Sequence, residues 1–146
     1  MLSTTCKYGI RASVYLALNG KDKLLNIKQI AKGLDVPEPF LGKIMQNLAK
    51  KKILYSQRGI DGGFKFNKDP HVVSILEIVE IFDGLDVFTD CVLGMRICSE
   101  DPRKDENCPF RKKADPLLDK FYKIFKEQTI GDFADKLEDI KDFVLI

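Results

Sequence analysis

The sequence from Asn26 to Asn67 reads NIKQIAKGLDVPEPFLGKIMQNLAKKKILYSQRGIDGGFKFN, and this stretch decides the fold. Two short runs of helical periodicity are joined by a tight turn, and two β-prone runs around a glycine-rich tip follow at once. This order of elements predicts a winged helix-turn-helix.

The second predicted helix begins near Glu38, because Pro37 and Pro39 bracket its start and proline is tolerated in a first helical turn. One stripe of this helix is apolar and should be buried. The opposite stripe carries cations with amides between them, which suits phosphates and base edges in the major groove of double-stranded DNA. A solvated helix face is the alternative interpretation. The polar stripe consists of Lys43, Gln46, Asn47 and Lys50.

The predicted wing comprises Ile53 to Gln57 and Phe64 to Asn67, separated by a loop with an Asp-Gly step that favours a hairpin. Arg58 lies at the base of this loop, where a long cation can reach a minor groove or its phosphates. A phosphate-cradling nucleotide loop is excluded, because no Gly-Lys-Ser/Thr follows and the loop does not open a helix. We therefore expect Arg58, Gly62 and Gly63 to belong to the DNA-binding surface.

Charge is divided unevenly along the chain. Residues 1–70 hold 13 Lys and Arg against 5 Asp and Glu, a net charge of +8, whereas residues 71–146 hold 11 against 17, a net charge of −6. This division indicates a polyanion-binding half joined to a part with another role. No apolar run is long enough for a membrane span, and the first twenty residues lack the apolar core of a signal peptide. We therefore expect a cytoplasmic protein with no membrane partner.

Further helices are predicted on both sides of the opening stretch. One runs from Ser3 to Leu18, one from a cap at Ser74 to Gly84, a long aromatic-rich one follows Pro116, and a last one begins at Thr129. The long helix either pairs with its own copy or packs against the winged domain. The lone histidine, His71, is expected to be solvated with nothing nearby to pair it.

The predicted fold class is mainly α with a small β-hairpin wing, a winged helix-turn-helix followed by a long C-terminal dimerisation helix. With 146 residues, 45% of them hydrophobic, the chain can bury a core of ordinary size. We divide it into a DNA-binding domain with its following helix at 1–84, a cysteine-containing sensor loop at 85–114, and the dimerisation helix with a C-terminal helix at 115–146.

Three cysteines, Cys91, Cys98 and Cys108, lie in a long segment without periodicity. In a reducing compartment structural disulfides are not expected, which favours a metal or redox role. An iron-sulfur cluster needs about four ligands, so a fourth would come from a partner subunit, a water or Cys6. An iron-sulfur cluster, a thiol sensor without metal and a merely structural loop all remain open.

The order of helix-turn-helix, wing, following helix, three-cysteine loop and long terminal helix resembles the Rrf2 family of bacterial transcription regulators over nearly the whole chain. The wing sequence SQRGIDGGF at 56–64 carries the most specific mark, an Arg-Gly-x-x-Gly-Gly-aromatic pattern. The family includes an iron-sulfur cluster regulator, a nitric-oxide-sensing repressor and a cysteine-metabolism repressor. The resemblance implies a homodimer on a palindromic operator, with recognition helices in major grooves and wings in adjacent minor grooves.

The resemblance also implies roles for individual residues. Two departures stand out: nine residues rather than about five separate Cys98 from Cys108, and Arg111 stands where cluster-holding members often have a histidine. Lys7 stands where the nitric-oxide sensor offers an aspartate, and its neighbour Cys6 is the substitute ligand that we consider. The family's DNA-contacting positions are matched by Glu38, Pro39, Phe40, Lys43 and Arg58, and its cluster cysteines by Cys91, Cys98 and Cys108.

The resulting prediction is a dimeric, DNA-binding transcription regulator, a repressor, whose cysteine loop senses redox state, nitric oxide or iron-sulfur status. The alternatives are a thiol-based or ligand-free regulator, a small thiol or iron-sulfur redox protein, and a winged-helix module for protein interaction. No enzyme is expected, because the sequence has no Cys-x-x-Cys, no dinucleotide fingerprint and no evident pairing of a cysteine with a histidine.

Overall fold

The computed structural model describes residues 1–93 and 108–139. The order of helices and strands is the predicted one, which confirms the mainly α class with a hairpin wing. Short 3-10 turns at Pro70–Val72 and Asp86–Phe88 flank the fourth helix. The elements are α1 (Thr4–Gly20), α2 (Ile27–Leu34), α3 (Glu38–Lys50), β1 (Leu54–Gln57), β2 (Gly63–Phe66), α4 (Ile75–Phe82), α5 (Arg111–Glu127) and α6 (Ile130–Glu138).

The starts of the helices follow local capping chemistry. Asn26 and Gln29 form a reciprocal capping box at α2, and Ser74 and Glu77 form another at α4. Asp35 adopts a left-handed conformation with φ of 53° between α2 and α3, which a short polar side chain tolerates. The predicted helix-turn-helix is therefore present, with α3 starting at the expected residue.

The wing is a two-stranded antiparallel hairpin that is tied to the chain before α2. Leu54 lies opposite Phe66, and Gln57 lies opposite Gly63. On the other side of β2, the Phe64 amide donates to the Leu25 carbonyl at 2.8 Å, and the Leu25 amide donates to the Phe64 carbonyl at 3.0 Å. The hairpin is thus held by backbone hydrogen bonds along both edges of β2 at this point.

The C-terminal helix α6 shares the core of the winged domain. Ile130, Ala134 and Leu137 are buried in the same cluster as the apolar residues of α1, α2 and α3. The Ile130 amide also donates to the Val73 carbonyl at 2.8 Å. The division of the chain at 84 and 114 stays a prediction, but α6 packs with the first part rather than standing apart from it.

Two local expectations were wrong. Helix α5 begins at Arg111 rather than after Pro116, and Pro116 lies inside it, where it removes one backbone donor. His71 is not unpaired: its Nδ1 lies 2.9 Å from a carboxylate oxygen of Asp69, and its Nε2 lies 2.8 Å from one of Asp135. None of the described helices combines the length and the hydropathy needed to cross a membrane.

Candidate nucleic-acid interface and cysteine segment

Helix α3 separates its two stripes as the sequence predicts. Leu41, Ile44, Met45 and Leu48 have at most 1% of their surface exposed, which fixes the rotation of the helix against the core. The opposite side therefore faces outward. The exposed side chains on it are Lys43, Gln46, Asn47 and Lys50.

The first turn of α3 has mixed exposure. Glu38 and Pro39 are exposed, whereas Phe40 is half-buried. The ring of Phe40 meets the ring of Tyr8 edge to face, with the two centroids 5.4 Å apart. Phe40 therefore joins α3 to α1, and its contact with DNA stays a prediction.

The tip of the wing is shaped by glycines. The Gly62 amide donates to the Gly59 carbonyl at 3.1 Å, and a Cβ atom at position 62 would lie 2.3 Å from the Gln57 carbonyl oxygen. Gly63 is buried, and a Cβ atom there would lie 2.4 Å from the Leu25 carbonyl oxygen. The structure thus gives Gly62 and Gly63 a backbone role, while their contact with DNA remains untested. Arg58 is the exposed cation of the tip.

Three cations of this surface form no ion pair with any residue that the structure describes. In the described part of the chain, ion pairs involve Lys21, Lys68, His71, Arg111 and Lys123. Lys43, Lys50 and Arg58 pair with no described residue. Helix α3 packs against β1, so the helix that carries the exposed stripe and the wing that carries Arg58 belong to one packed unit, and both present cations that can receive a polyanion.

The stretch between Thr89 and Arg111, which carries Cys91, Cys98 and Cys108 and is called the cysteine segment, has its two ends joined. Arg111 is 91% buried, and its Nη2 donates to the Thr89 carbonyl at 3.3 Å while its Nε donates to Asp115 at 3.1 Å. Cys91 and Cys108 lie just inside this link and are half-buried. Cys98 falls outside the described residues. The sequence signal for this link was Arg111 itself, a cation directly after the cysteine segment and four residues before an aspartate.

Cys6 lies in a buried, apolar environment. It has no exposed surface and packs with Leu76, Val79 and Phe88. Burial, with the nearby Asp83 carboxylate, raises the pKa of the Cys6 thiol to about 12. This geometry gives Cys6 a packing role in the described part of the chain, and its place as a fourth ligand stays a prediction.

No group of three side chains able to hold a metal ion occurs within residues 1–93 and 108–139. The predicted cluster ligands cannot form such a group there, because Cys98 is outside these ranges. The two described cysteines of the segment nevertheless lie at the ends of a length of chain that Arg111 closes, an arrangement compatible with thiolate ligation of one centre.

Comparison with known proteins gives a consistent result. The family model Rrf2, described as an iron-dependent transcriptional regulator, matches residues 2–136. A candidate HTH-type transcriptional regulator of Aquifex aeolicus (strain VF5) is 36% identical over 132 residues, covering 90% of each chain. The HTH-type transcriptional regulator NsrR of Oceanobacillus iheyensis is 25% identical over 134 residues, covering 91% of this chain and 88% of its own.

A solved structure shares the fold. CymR (YrzC), the global cysteine regulator of B. subtilis, superimposes with a TM-score of 0.75 at 20% identity, covering 93% of this chain and 97% of that chain. At this identity the likeness extends to the architecture and no further.

Proposed function

Because this chain belongs to the Rrf2 family of transcriptional regulators, we propose that it is a homodimeric repressor that binds operator DNA and senses redox state, nitric oxide or iron-sulfur status through its cysteine segment. The family and the relatives described above are transcriptional regulators and not enzymes. The protein works in the cytoplasm, where a bacterial operator is accessible.

The observation that carries the DNA-binding role is the basic surface of α3 and the wing. Lys43 and Lys50 flank Gln46 and Asn47 on the exposed stripe, so cations that meet phosphates alternate with amides that read base edges. Arg58 extends the surface along the wing towards a minor groove. Because none of these cations is neutralised by a described carboxylate, their charge is available to the DNA backbone.

The observation that supports a dimer is the outer face of α5. Its inner face packs on Phe88 through Tyr122 and Phe125, with centroid separations of 5.6 Å for each pair. On the other face, Leu117, Phe121 and Ile124 are 59%, 40% and 59% exposed. These three residues recur at spacings of four and three, so they form a continuous apolar stripe that a second copy of α5 would cover.

The cysteine segment is the proposed sensor. Cys91, Cys98 and Cys108 would hold an iron-sulfur cluster as thiolates, with the fourth ligand supplied from outside the segment. A bound cluster would supply redox-active iron that responds to oxygen and nitric oxide. The chain's own contribution is the link between Thr89 and Arg111, which connects any change in the segment to the first turn of α5.

A sensor without metal is the second candidate, and Arg111 favours it. Arginine stays protonated and offers no lone pair to a metal, so the position that often holds a histidine cannot provide a ligand here. In this case hydrogen peroxide would oxidise two of the cysteine thiols to a disulfide and be reduced to two water molecules, and the regulator would respond to that change.

One experiment separates these cases. The protein is purified without oxygen, and its visible spectrum, iron and acid-labile sulfide are measured together with its affinity for a duplex selected from a random pool. A coloured protein that loses both iron and operator affinity in Cys98→Ser supports a cluster sensor. A colourless protein that binds the duplex only when reduced supports the thiol sensor. Failure to select any duplex would refute the DNA-binding role itself.

A further inference from the structure

One stripe of α1 lies over the helix-turn-helix. Tyr8 contacts Phe40 in the first turn of α3, as described above. Tyr15 packs against Gly33 of α2, where an added Cβ atom would lie 2.4 Å from the tyrosine ring. Arg11 lies between the two tyrosines on this stripe, three residues after one and four before the other. Its side chain is therefore placed beside the start of the recognition helix.

The guanidinium of Arg11 is held but not neutralised. Its Cζ atom lies 5.2 Å from the centroid of the Tyr8 ring, a cation–π arrangement. Arg11 forms no ion pair and no side-chain hydrogen bond with any residue in the described parts of the chain. A cation–π contact neutralises no charge and occupies few of the five N–H donors of the guanidinium, so the others stay available to an external acceptor.

We propose that Arg11 is a phosphate-binding residue of the DNA interface, held against Tyr8 by a cation–π contact so that it binds the backbone beside the major groove that α3 would enter. This inference rests on the proposed DNA-binding function and extends the interface to α1. The tyrosine fixes the guanidinium, and Phe40 fixes the tyrosine relative to α3. Arg11 would therefore set how the recognition helix is seated.

The chemistry of the surroundings favours a phosphate as the acceptor. Lys7 is exposed one turn earlier on the same helix and adds a second cation. A planar guanidinium binds two phosphate oxygens at once, and the nearby amino-terminal end of α3 also attracts anions. The first 70 residues carry the positive excess noted above, so a polyanion meets a coherent basic field rather than one isolated side chain.

The test compares three variants of Arg11, the neutral control Lys136→Ala and the positive control Lys43→Ala on two fluorescein-labelled duplexes, one selected by the wild-type protein and one of scrambled sequence. Arg11→Ala and Arg11→Gln remove the charge, Arg11→Lys keeps the charge without the planar donors, and Lys136→Ala removes an exposed cation of α6 as a control. We expect Arg11→Ala and Arg11→Gln to weaken binding about tenfold on both duplexes, because a charge-assisted phosphate contact is lost regardless of sequence. Lys136→Ala should bind like wild type.

Salt dependence gives a second readout. Arg11→Gln should lower the slope of log affinity against log salt by about one per protomer, whereas Arg11→Lys should keep the slope and lose part of the affinity. The melting temperature of each variant shows whether it folds. If Arg11→Ala does not fold, the result with Arg11→Gln decides the test. If Arg11→Gln keeps the wild-type affinity and slope while Lys43→Ala binds more weakly, the role of Arg11 is overturned and the proposed DNA-binding function is not. A loss confined to the selected duplex would also overturn it, because it would indicate base reading. A wild-type protein that binds neither duplex would overturn the proposed function as well.

Discussion

Arg111 donates a hydrogen bond from Nη2 to the carbonyl oxygen of Thr89, 3.3 Å away, and so joins the two ends of the cysteine segment. The same side chain donates to Asp115 and is 91% buried, so its removal leaves polar atoms without partners. We expect Arg111→Ala to lower the free energy of unfolding by about 1–3 kcal/mol, as measured by urea denaturation.

The same variant should also expose the segment to reagents. In a background where Cys108 is the only cysteine left in the segment, Arg111→Ala should raise the rate at which a thiol reagent labels that residue. Arg111→Lys keeps the charge and should label at an intermediate rate. Equal labelling rates in all three proteins would show that the link does not restrain the segment.

Gly63 and Gly42 make a matched pair for the packing of the wing. A Cβ atom at position 63 would lie 2.4 Å from the Leu25 carbonyl oxygen, whereas nothing lies within 4 Å of one at position 42. Gly63→Ala should therefore separate β2 from Leu25 and cost about 2 kcal/mol of folding free energy, the worth of two backbone hydrogen bonds. Gly42→Ala should stabilise α3 by about 0.5–1 kcal/mol, since alanine loses less entropy in a helix. Chemical denaturation should show a lower free energy of unfolding for Gly63→Ala and a higher one for Gly42→Ala. Equal losses in the two variants would contradict this prediction.

His71 predicts a dependence of stability on pH. The hydrogen bond to Asp135, followed in size by the one to Asp69, raises the pKa of the imidazole from 6.5 to about 9 in the folded protein. A raised folded-state pKa stabilises the fold fully below about pH 6.5, and this contribution is lost as pH rises through about 9. The melting temperature of the wild type should therefore fall across that window. The melting temperature of Asp135→Asn should fall less over the same range. Identical pH profiles for the two proteins would argue against the contact between His71 and Asp135.

The apolar stripe of α5 predicts the oligomeric state. Ile124 is 59% exposed in the protomer, so Ile124→Asp should place a charge in the proposed dimer interface at little cost to the protomer fold. Sedimentation velocity should show a dimer for the wild type and a monomer for this variant. Lys123→Asp is the neighbouring control, because Lys123 is exposed beside the stripe, and it should remain dimeric. If Ile124→Asp stays fully dimeric, the dimer interface does not include the apolar stripe of α5.

Local chemistry in the sequence was enough to place most of the fold. Asn26 and Ser74 each start a helix through a capping box whose two partners are three residues apart, so sequence alone reveals them. The two stripes of α3 follow from periodicity in the same way. The DNA-contacting residues and the cluster ligands stay predictions, since no bound partner tests them.

The features that sequence reasoning missed depend on contacts between distant residues. His71 contacts Asp135, which lies 64 positions later in the sequence, and no local sequence pattern predicts that contact. The packing of Leu76 and Phe88 around Cys6 was likewise not evident from the sequence. Helix α5 starts at Arg111, before Pro116, and Arg111 also bonds to Thr89, 22 residues earlier, a contact that no local pattern indicates.

The pairing of Phe64 with Leu25 has a consequence for how far one protomer can adapt to DNA. Two backbone hydrogen bonds hold β2 to Leu25, two residues before α2, and a Cβ atom at Gly63 would have no room at this junction. The offset between the helix-turn-helix and the wing is therefore fixed within the protomer, and we expect it not to change with the state of the cysteines. Each protomer would then read a half-site of fixed length, and any signal would have to act on the distance between the two half-sites.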